Sequence, residues 1–238
     1  MKRYKAMFYR NCFDFDRTGE TNFWFIIKDY FGGMEELSAN STRGCVRRAL
    51  ATLDIKRVPA SVIASEGYEV YAASFERYGK ARPASRESYE SGYAHVPSNV
   101  EFWGCFHKES GRLVAYAKNY LYEDMCEYTV LKAIPLYMKQ SHCYYGLIFK
   151  MNEYYLGTQS LKYVCDGART LTQHSGIQTF LVDKFKFRKA YCRVRVHYRP
   201  WLGCVVHCLY PLRNLMPSKI RFFLKMEEIS CNSCKIHR

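Results

Sequence analysis

The order of strand-like and helix-like segments after Val100 constrains the fold of this chain more than any other feature of its sequence. EFWGCFHK, a turn that ends at Gly111, and RLVAYAKNYLY are typical of a β-hairpin, and EYTVLKAI continues it as a third strand. Next come a predicted helix, HCYYGLIFKMNEYYLG, a strand, LKYVCDG, a second helix, IQTFLVDKF, and two strands, FRKAYCRVRVHYR and WLGCVVHCLYP. This alternation predicts an α/β (α+β) structure, in which helices flank a mixed, mostly antiparallel sheet.

The first third of the chain predicts two strands followed by helices. Residues 4–9 and 22–29 are aromatic and β-branched, and the helix that follows is capped by Asn40 or Ser41. A short strand and a helix at 60–78, opened by Pro59, complete this part. The predicted organisation is therefore an N-terminal part at 1–80, a linker or mobile loop at 81–99, a core at 100–212 and a basic tail at 213–238.

Composition excludes several classes of protein. With 48% hydrophobic and 24% charged residues, the chain is able to bury a core and is not a disordered sequence. No window of about 20 residues is free of Lys, Arg and Glu, so we expect no membrane span. The start lacks the apolar run of a secretory signal, which predicts a cytoplasmic location. Neither a Gly-rich dinucleotide-binding turn nor a P-loop sequence is present.

Positive charge is concentrated towards the C-terminus. The formal net charge is +14, and residues 182–238 carry 13 Lys and Arg against three Asp and Glu. Arg193 and Arg195 alternate with valines and share one face of a predicted strand, with aromatic residues interleaved. Such a surface fits the phosphates and bases of RNA, although excess positive charge also attracts acidic partners without specificity.

The cysteines predict free thiols. There are eleven, an odd number, and most stand singly in apolar segments where a thiol packs as a small hydrophobe. Cys231, Cys234 and His237 have metal-like spacing but form only half of a zinc site. We therefore expect no metal.

Several segments of the sequence also resemble those of a known superfamily. From about 100 to 210, SGRLVAYA, the helix–strand–helix that follows and FLVDKFKFRKAYCRVRVHY resemble the acyl-CoA N-acyltransferase (GNAT) fold. NFWFIIKDYFGGMEELSANSTRGCVRRAL is similar to the strand and Arg-studded helix of FemAB-type aminoacyl and acyl transferases. The resemblance implies a GNAT-like, FemAB-related transferase that moves an acyl or aminoacyl group from acyl-CoA or aminoacyl-tRNA to an amine. The implied acceptor is an amino sugar or a peptidyl precursor of a cell envelope.

Acyl transfer to an amine needs a base for the ammonium proton and donors for the oxyanion. Asp166 ends a predicted strand just ahead of His174, in the crevice where open α/β sheets bind ligands, and Glu123 lies beside the central strands. These three residues are the candidate catalytic groups. The candidates for binding the donor are Arg43, Arg47, Arg169, Tyr145 and Gln178. Guanidinium groups pair with phosphate, and the Tyr145 ring is suited to line a sugar or acyl pocket. Each of these residues also has a structural reading, as a turn, packing or surface residue.

A second reading is a catalytically degenerate module of the same fold that binds RNA or an acidic partner through its basic C-terminal face. The stretch that corresponds to the Gly-rich pyrophosphate loop of the superfamily contains only Gly146. Aligned on Phe187, the position of the superfamily's general-acid tyrosine is Val182. The order of strands and helices favours the enzyme, whereas these two departures favour the binding module. The oligomeric state stays open.

Overall fold

The computed structural model describes residues 6–37, 39–78, 82–169 and 176–217, with positions 220, 221, 224, 227 and 229 beyond them. The strands are β1 (Phe8–Phe13), β2 (Phe23–Lys28), β3 (Leu53–Val58), β4 (Val100–His107), β5 (Leu113–Leu121), β6 (Met125–Ala133), β7 (Tyr163–Ala168) and β8 (Arg188–Tyr198). The α-helices are α1 (Asn40–Thr52), α2 (Ala60–Ser74), α3 (Arg86–Ser91), α4 (Pro135–Gln140), α5 (Cys143–Asn152), α6 (Gly176–Phe185) and α7 (Pro200–Leu209). In the described residues, no helix is both long and apolar enough to cross a membrane.

The chain forms two compact units. The larger unit consists of Ile27–Gly167 and Gln178–Phe187, and the smaller unit of Met1–Ile26, Ala168–Ile177 and Arg188–Arg238.

The sheet of the larger unit has the strand order β3-β4-β5-β6-β7. All neighbours are antiparallel except β6 and β7, which run parallel. Consecutive residues of β4 and of β5 are buried. Since successive side chains point to opposite sides of a strand, both faces of these strands are covered. Phe102 and Tyr116 pack with Ile63 and Val70 of α2, whereas Trp103 contacts Tyr155, in a π-helical turn (Glu153–Thr158) that continues α5. The sheet is therefore covered by helices on both faces.

α1 and α5 pack closely because of a glycine. A Cβ atom on Gly146 of α5 would lie 2.8 Å from Cβ of Ala49 in α1 and 2.6 Å from Cδ1 of Ile55 in β3. Gly146 is thus required for contact between helix and helix and between helix and strand.

In the smaller unit, β1 and β8 are antiparallel, with registers from Phe8↔Tyr198 to Phe13↔Arg193. Its core consists of Phe23, Cys192, Val194 and Ile229. α7 follows β8 directly, and its Gly203 lies against Tyr198.

The predicted fold class is confirmed: the molecule is a mixed α/β structure whose strands are mostly antiparallel and flanked by helices. The largest error of the sequence interpretation is WLGCVVHCLYP, which was expected as a strand and is helix α7. Pro200 at the first helical position fixes a φ suited to a helix start, and Leu202, Val206 and Leu209 recur at helical spacing. Short apolar runs of this length fit either period, so the strand prediction was wrong.

Candidate active site

The most distinctive feature of the larger unit is a fork between its two parallel strands. β6 and β7 pair only at Met125↔Tyr163, Cys126↔Val164 and Glu127↔Cys165. β6 continues to Ala133 and β7 to Ala168, so the strands separate beyond the third pair. We call the region beyond Glu127 and Cys165 the fork. The main-chain groups of β6 that face β7 there have no β7 residue in register.

A β-bulge lies at the same place. On β5, Lys118 pairs with Val130 and the next residue, Asn119, pairs with Tyr128, so Thr129 of β6 is an extra residue. The Thr129 hydroxyl donates to the main-chain oxygen of Lys118 at 2.8 Å. Bulges bend a strand and increase its twist, and they are common next to active sites. The bulge at Thr129 gives a local reason for β6 to turn away from β7.

Asp166 is the first residue of β7 inside the fork. Its side chain keeps some exposure to solvent, yet the surrounding protein raises its pKa to about 7. Burial is the main cause, and the negative charge of Glu127 acts in the same direction. A hydrogen bond from Gln178 opposes both effects. A carboxyl group with this pKa takes up or releases a proton near neutral pH, as general bases do.

Three residues surround Asp166, and one of them, Gln178, is hydrogen-bonded to it. Gln178, only 7% exposed, projects from the first turns of α6, and its Nε2 donates to the main-chain oxygen of Asp166 at 3.4 Å. Gly167 has φ +79°, a left-handed conformation that other residues adopt with strain, and its N–H contacts Cys165 Sγ at 3.1 Å. Glu127 lies close by, since a Cβ on Gly167 would be 3.7 Å from its Oε1.

A buried tyrosine that is close enough to be affected by the charge of Asp166 is paired with a buried asparagine. The Tyr128 hydroxyl of β6 donates to Oδ1 of Asn152 in α5 at 2.9 Å. Burial is the main reason that the pKa of Tyr128 rises well above its ordinary value, and the charge of Asp166 contributes. Asn152 is fully buried, and its Nδ2 has no hydrogen-bond partner in the part of the chain that the structure describes. A buried donor without a partner is costly, so it is a candidate for contact with a ligand or water.

The structure brings together some of the predicted site residues. Asp166 and Gln178 are in direct contact at the fork. Glu123 is exposed in the turn before β6, at the end of that strand opposite to the fork. His174 lies outside the described residues, as do Cys231, Cys234 and His237. The catalytic roles of Glu123, Asp166 and His174 stay predictions.

Of the predicted donor-binding arginines, Arg43 and Arg47 lie on α1, and Arg169 lies in the smaller unit. Arg43 of α1 donates from Nη1 to the main-chain oxygen of Leu37 at 2.9 Å and also contacts Oδ1 of Asn40, whereas Arg47 is exposed. Arg169, in the smaller unit, donates its main-chain N–H to Trp24 at 2.7 Å and lies over the Trp24 ring at 4.7 Å.

Tyr145 of α5 belongs to an aromatic cluster. Its ring is 4.9 Å from that of Phe180 and 6.0 Å from that of Phe185, both on α6. This packing holds the first turn of α5 against the helix that carries Gln178. Gly146, the single glycine of the stretch that matches the superfamily's pyrophosphate loop, lies inside α5 and makes the close contact with α1 described above.

A polar network that the sequence analysis missed crosses the larger unit. The Tyr155 hydroxyl accepts hydrogen bonds from Trp103 Nε1 at 2.9 Å and Asn119 Nδ2 at 3.2 Å, and donates to Glu101 Oε2 at 2.9 Å. Glu101 Oε1 in turn forms an ion pair with Arg57 at 2.8 Å. These residues lie on four different elements, β3, β4, β5 and the π-helical turn, so no single spacing in the sequence connects them.

Arg57 also lines a cavity of about 300 Å³ between β3, β4 and the end of α5. Its other lining residues include Lys56, Lys150, Glu153 and Tyr154. Each of its three cations has a carboxylate partner, on Asp54, Glu101 or Glu153, so the charge of this cavity is balanced. No group of three or more His, Cys, Asp or Glu that fits a metal ion occurs among the described residues.

No protein family matches the sequence, and no curated protein sequence does. Similar solved structures exist. FemX is 11% identical, with a TM-score of 0.59 over 88% of this chain and 68% of that chain. L-PGS from Bacillus licheniformis is 11% identical, with a TM-score of 0.52 over 94% of this chain and 67% of that chain. A PaiA N-acetyltransferase from Thermoplasma acidophilum, solved with coenzyme A, is 14% identical, with a TM-score of 0.37 over 46% of this chain and 75% of that chain.

At these identities the likeness is one of fold. The chain therefore shares its fold with FemX and L-PGS, as the resemblance of its sequence to the FemAB-type transferases implies.

Proposed function

We propose that this protein is an N-acyltransferase that moves an acyl or aminoacyl group from an activated donor to an amine. The observation that carries the proposal is the fork between β6 and β7, with a carboxyl group of pKa about 7 at its entrance. The similarity of the fold to FemX and L-PGS supports it.

In the proposed reaction, the acceptor nitrogen attacks the carbonyl carbon of the donor, and an N–C bond forms. Asp166 takes the proton that the nitrogen loses, and Gln178 fixes the position of the carboxyl group. The oxyanion lies against main-chain N–H groups of β6 beyond Glu127, which face the fork rather than a neighbouring strand. The C–O or C–S bond to the donor then breaks, and the leaving oxygen or sulfur takes up a proton.

Aminoacyl-tRNA is the donor that we favour, with acyl-CoA as the second candidate. The FemAB-type transferases that the sequence resembles use aminoacyl-tRNA. In addition, the smaller unit carries 17 Lys and Arg against five Asp and Glu, a difference of +12 out of the total of +14. Phosphate backbones bind such surfaces through counterion release. The proposed acceptor is an amino sugar or a peptidyl envelope precursor, and the proposed location is the cytoplasm.

The donor is tested by thermal unfolding of the purified protein with coenzyme A, acetyl-CoA, uncharged tRNA and aminoacylated tRNA. A ligand at 100 times its dissociation constant stabilises the folded state by about 2.7 kcal/mol. We expect aminoacylated tRNA to raise the melting temperature more than uncharged tRNA does. Asp166→Asn is expected to show the same shift, because the carboxyl group acts in the reaction rather than in donor binding. No shift with any donor would contradict the proposal.

A second candidate function is binding of RNA without catalysis, through the basic surface of the smaller unit. The charge difference of +12 favours it. This alternative predicts equal stabilisation by charged and uncharged tRNA and no transfer to any amine.

A further inference from the structure

Helix α7 presents an unusual outward face. Trp201, Cys204, Val205 and Cys208 recur at intervals of three and four residues and are all exposed, with Trp201 56% and Val205 45% accessible. The inward face is marked by Val206, which is buried. PWLGCVVHCL contains no Asp, Glu, Lys or Arg. A surface helix of a soluble protein normally turns charged residues outward. The exposed face of α7 is apolar instead, which is unusual for a face in contact with water alone.

Other exposed apolar side chains of the smaller unit adjoin α7. Leu212 and Leu215 follow the helix directly and are 48% and 83% accessible. At its other end, the N–H of Arg199 donates to the main-chain oxygen of Met7 at 3.1 Å, which places the start of β1 beside the start of α7. Met7 and its neighbour Phe8 are each 41% accessible. We call α7 with Met7, Phe8, Leu212 and Leu215 the α7 surface. Apolar side chains grouped in this way mark interaction sites.

Cations border the α7 surface. Arg199 precedes the helix, Arg213 lies over the Tyr210 ring at 4.4 Å just after it, and Arg221 is exposed further on. Two acidic residues of the smaller unit are already engaged by arginines, Asp16 by Arg188 at 2.6 Å and Asp14 by Arg193 at 3.4 Å. Glu227, which is 6% exposed, lies 3.8 Å from His207 of α7, and the three arginines leave the surroundings of the apolar face net positive.

The combination of features selects one kind of partner. RNA would match the cations but gains nothing from exposed valine and leucine side chains. A second copy of the chain would match the apolar face but would bring another unit with a charge difference of +12 against this one. An anionic lipid bilayer matches both, since apolar side chains and tryptophan enter the headgroup region while arginines remain at the charged surface.

We propose that the α7 surface binds anionic phospholipid membranes, with α7 lying in the plane of the interface. Its ten residues cover about 15 Å, roughly half the thickness of a bilayer core, so the helix rests in one leaflet. The protein is then a peripheral membrane protein, whatever reaction its larger unit performs.

The proposal is tested by sedimentation of the full chain with two kinds of vesicle, one of phosphatidylcholine alone and one of phosphatidylcholine and phosphatidylglycerol in equal parts. We expect binding to the anionic vesicles, weakened by added salt, and about tenfold less binding to the neutral ones. The double variant Trp201→Ser/Val205→Ser is expected to lose at least about tenfold in affinity while its melting temperature stays unchanged, because both side chains are exposed.

Leu136→Ser is the matched control, since Leu136 is 54% accessible on α4 of the larger unit. It should bind vesicles as the wild type does. A blue shift of tryptophan fluorescence on binding, absent in Trp201→Phe, would locate the contact at α7. The proposal is overturned if the double variant binds vesicles as well as the wild type does, if the protein binds RNA but no vesicle, or if α7 instead joins two copies in solution.

Discussion

Glu127 of β6 and Cys165 of β7 form the last pair in register between these two parallel strands. The next residue of β7 is Asp166, and two residues further along β6 lies the bulge at Thr129. A single step along each strand thus separates a hydrogen-bonded sheet from an open fork with a titratable carboxyl at its entrance. In the proposed reaction this carboxyl is the base, and main-chain N–H groups of β6 beyond Glu127 hold the oxyanion.

The raised pKa of Asp166 predicts a specific dependence of stability on pH. Its pKa is about 7 in the folded protein against an ordinary value of 3.8. Between these values the folded state holds a proton that the unfolded chain has lost, so stability falls as the pH rises from about 4 to about 7. Asp166→Asn cannot ionise and removes this loss. We expect its stability relative to the wild type to be greater at pH 8 than at pH 4, by about 2–4 kcal/mol.

Urea unfolding at the two pH values measures this difference. Asp183→Asn is the control, because Asp183 is an exposed residue of α6. An equal pH effect in both variants, or none in Asp166→Asn, would mean that Asp166 titrates like an ordinary surface carboxyl.

Gly146 predicts a contrast between two glycines. Gly146→Ala would press a methyl group against Ala49 and Ile55, and we expect a loss of about 1–3 kcal/mol in the free energy of unfolding. Gly44, in α1, has no atom within 4 Å of a Cβ. Gly44→Ala should therefore be neutral or stabilise by up to about 1 kcal/mol, because alanine favours a helix. Thermal unfolding of both variants decides the matter, and equal effects would show that Gly146 is not needed for packing.

The hydroxyl groups of the adjacent Tyr155 and Tyr154 are expected to contribute very differently to stability. Tyr155→Phe removes the acceptor of Trp103 Nε1 and Asn119 Nδ2 and the donor to Glu101, all in the buried network. We expect a loss of about 2–4 kcal/mol in the free energy of unfolding. Tyr154→Phe keeps the ring that faces Arg57 and should cost less than about 0.5 kcal/mol. Urea unfolding compares the two, and a similar small cost for both would show that the network adds little to stability.

The buried ion pair of Lys28 and Glu36 predicts a non-additive result. The two side chains are 0% and 5% exposed, with Nζ and Oε2 2.8 Å apart, and burial lowers the pKa of Lys28. Glu36→Gln leaves the ammonium group without its charge partner, and we expect a loss of about 3–5 kcal/mol. The double variant Lys28→Met/Glu36→Leu, which removes both charges, should lose less than Glu36→Gln alone. A larger loss in the double variant would show that the pair is a net source of stability.

Sequence reasoning predicted the helices and strands whose apolar residues recur with a clear periodicity or whose ends are marked by a turn residue. The hairpin of β4 and β5 follows from its alternating side chains and from Gly111, whose φ of +68° requires the turn found there. α7 was mistaken for a strand because a short, mostly apolar run fits both the helical and the strand period, and the proline before Trp201 was the signal that distinguishes them.

Only part of the candidate site could be predicted in the same way. Asp166 was chosen as a candidate because it was expected to end a strand in an α/β sheet, where ligands bind, and the structure places it in β7, two residues before the strand ends. Other features depend on strand register and on contacts between distant segments. They are the bulge at Thr129, the hydrogen bond from Tyr128 to Asn152 and the network around Tyr155. Those contacts are set by tertiary packing, which residue spacing in the sequence does not indicate.

The most direct test of the account is the pH dependence of amine acylation by the wild type and by Asp166→Asn, with aminoacylated tRNA and acetyl-CoA each supplied as donor. Transfer by the wild type is expected to rise with pH through a midpoint near 7, as Asp166 loses its proton. Transfer by Asp166→Asn is expected to be about 100-fold to 10,000-fold slower, without that midpoint. Transfer at the same rate in the variant, or no transfer by the wild type from either donor, would contradict it.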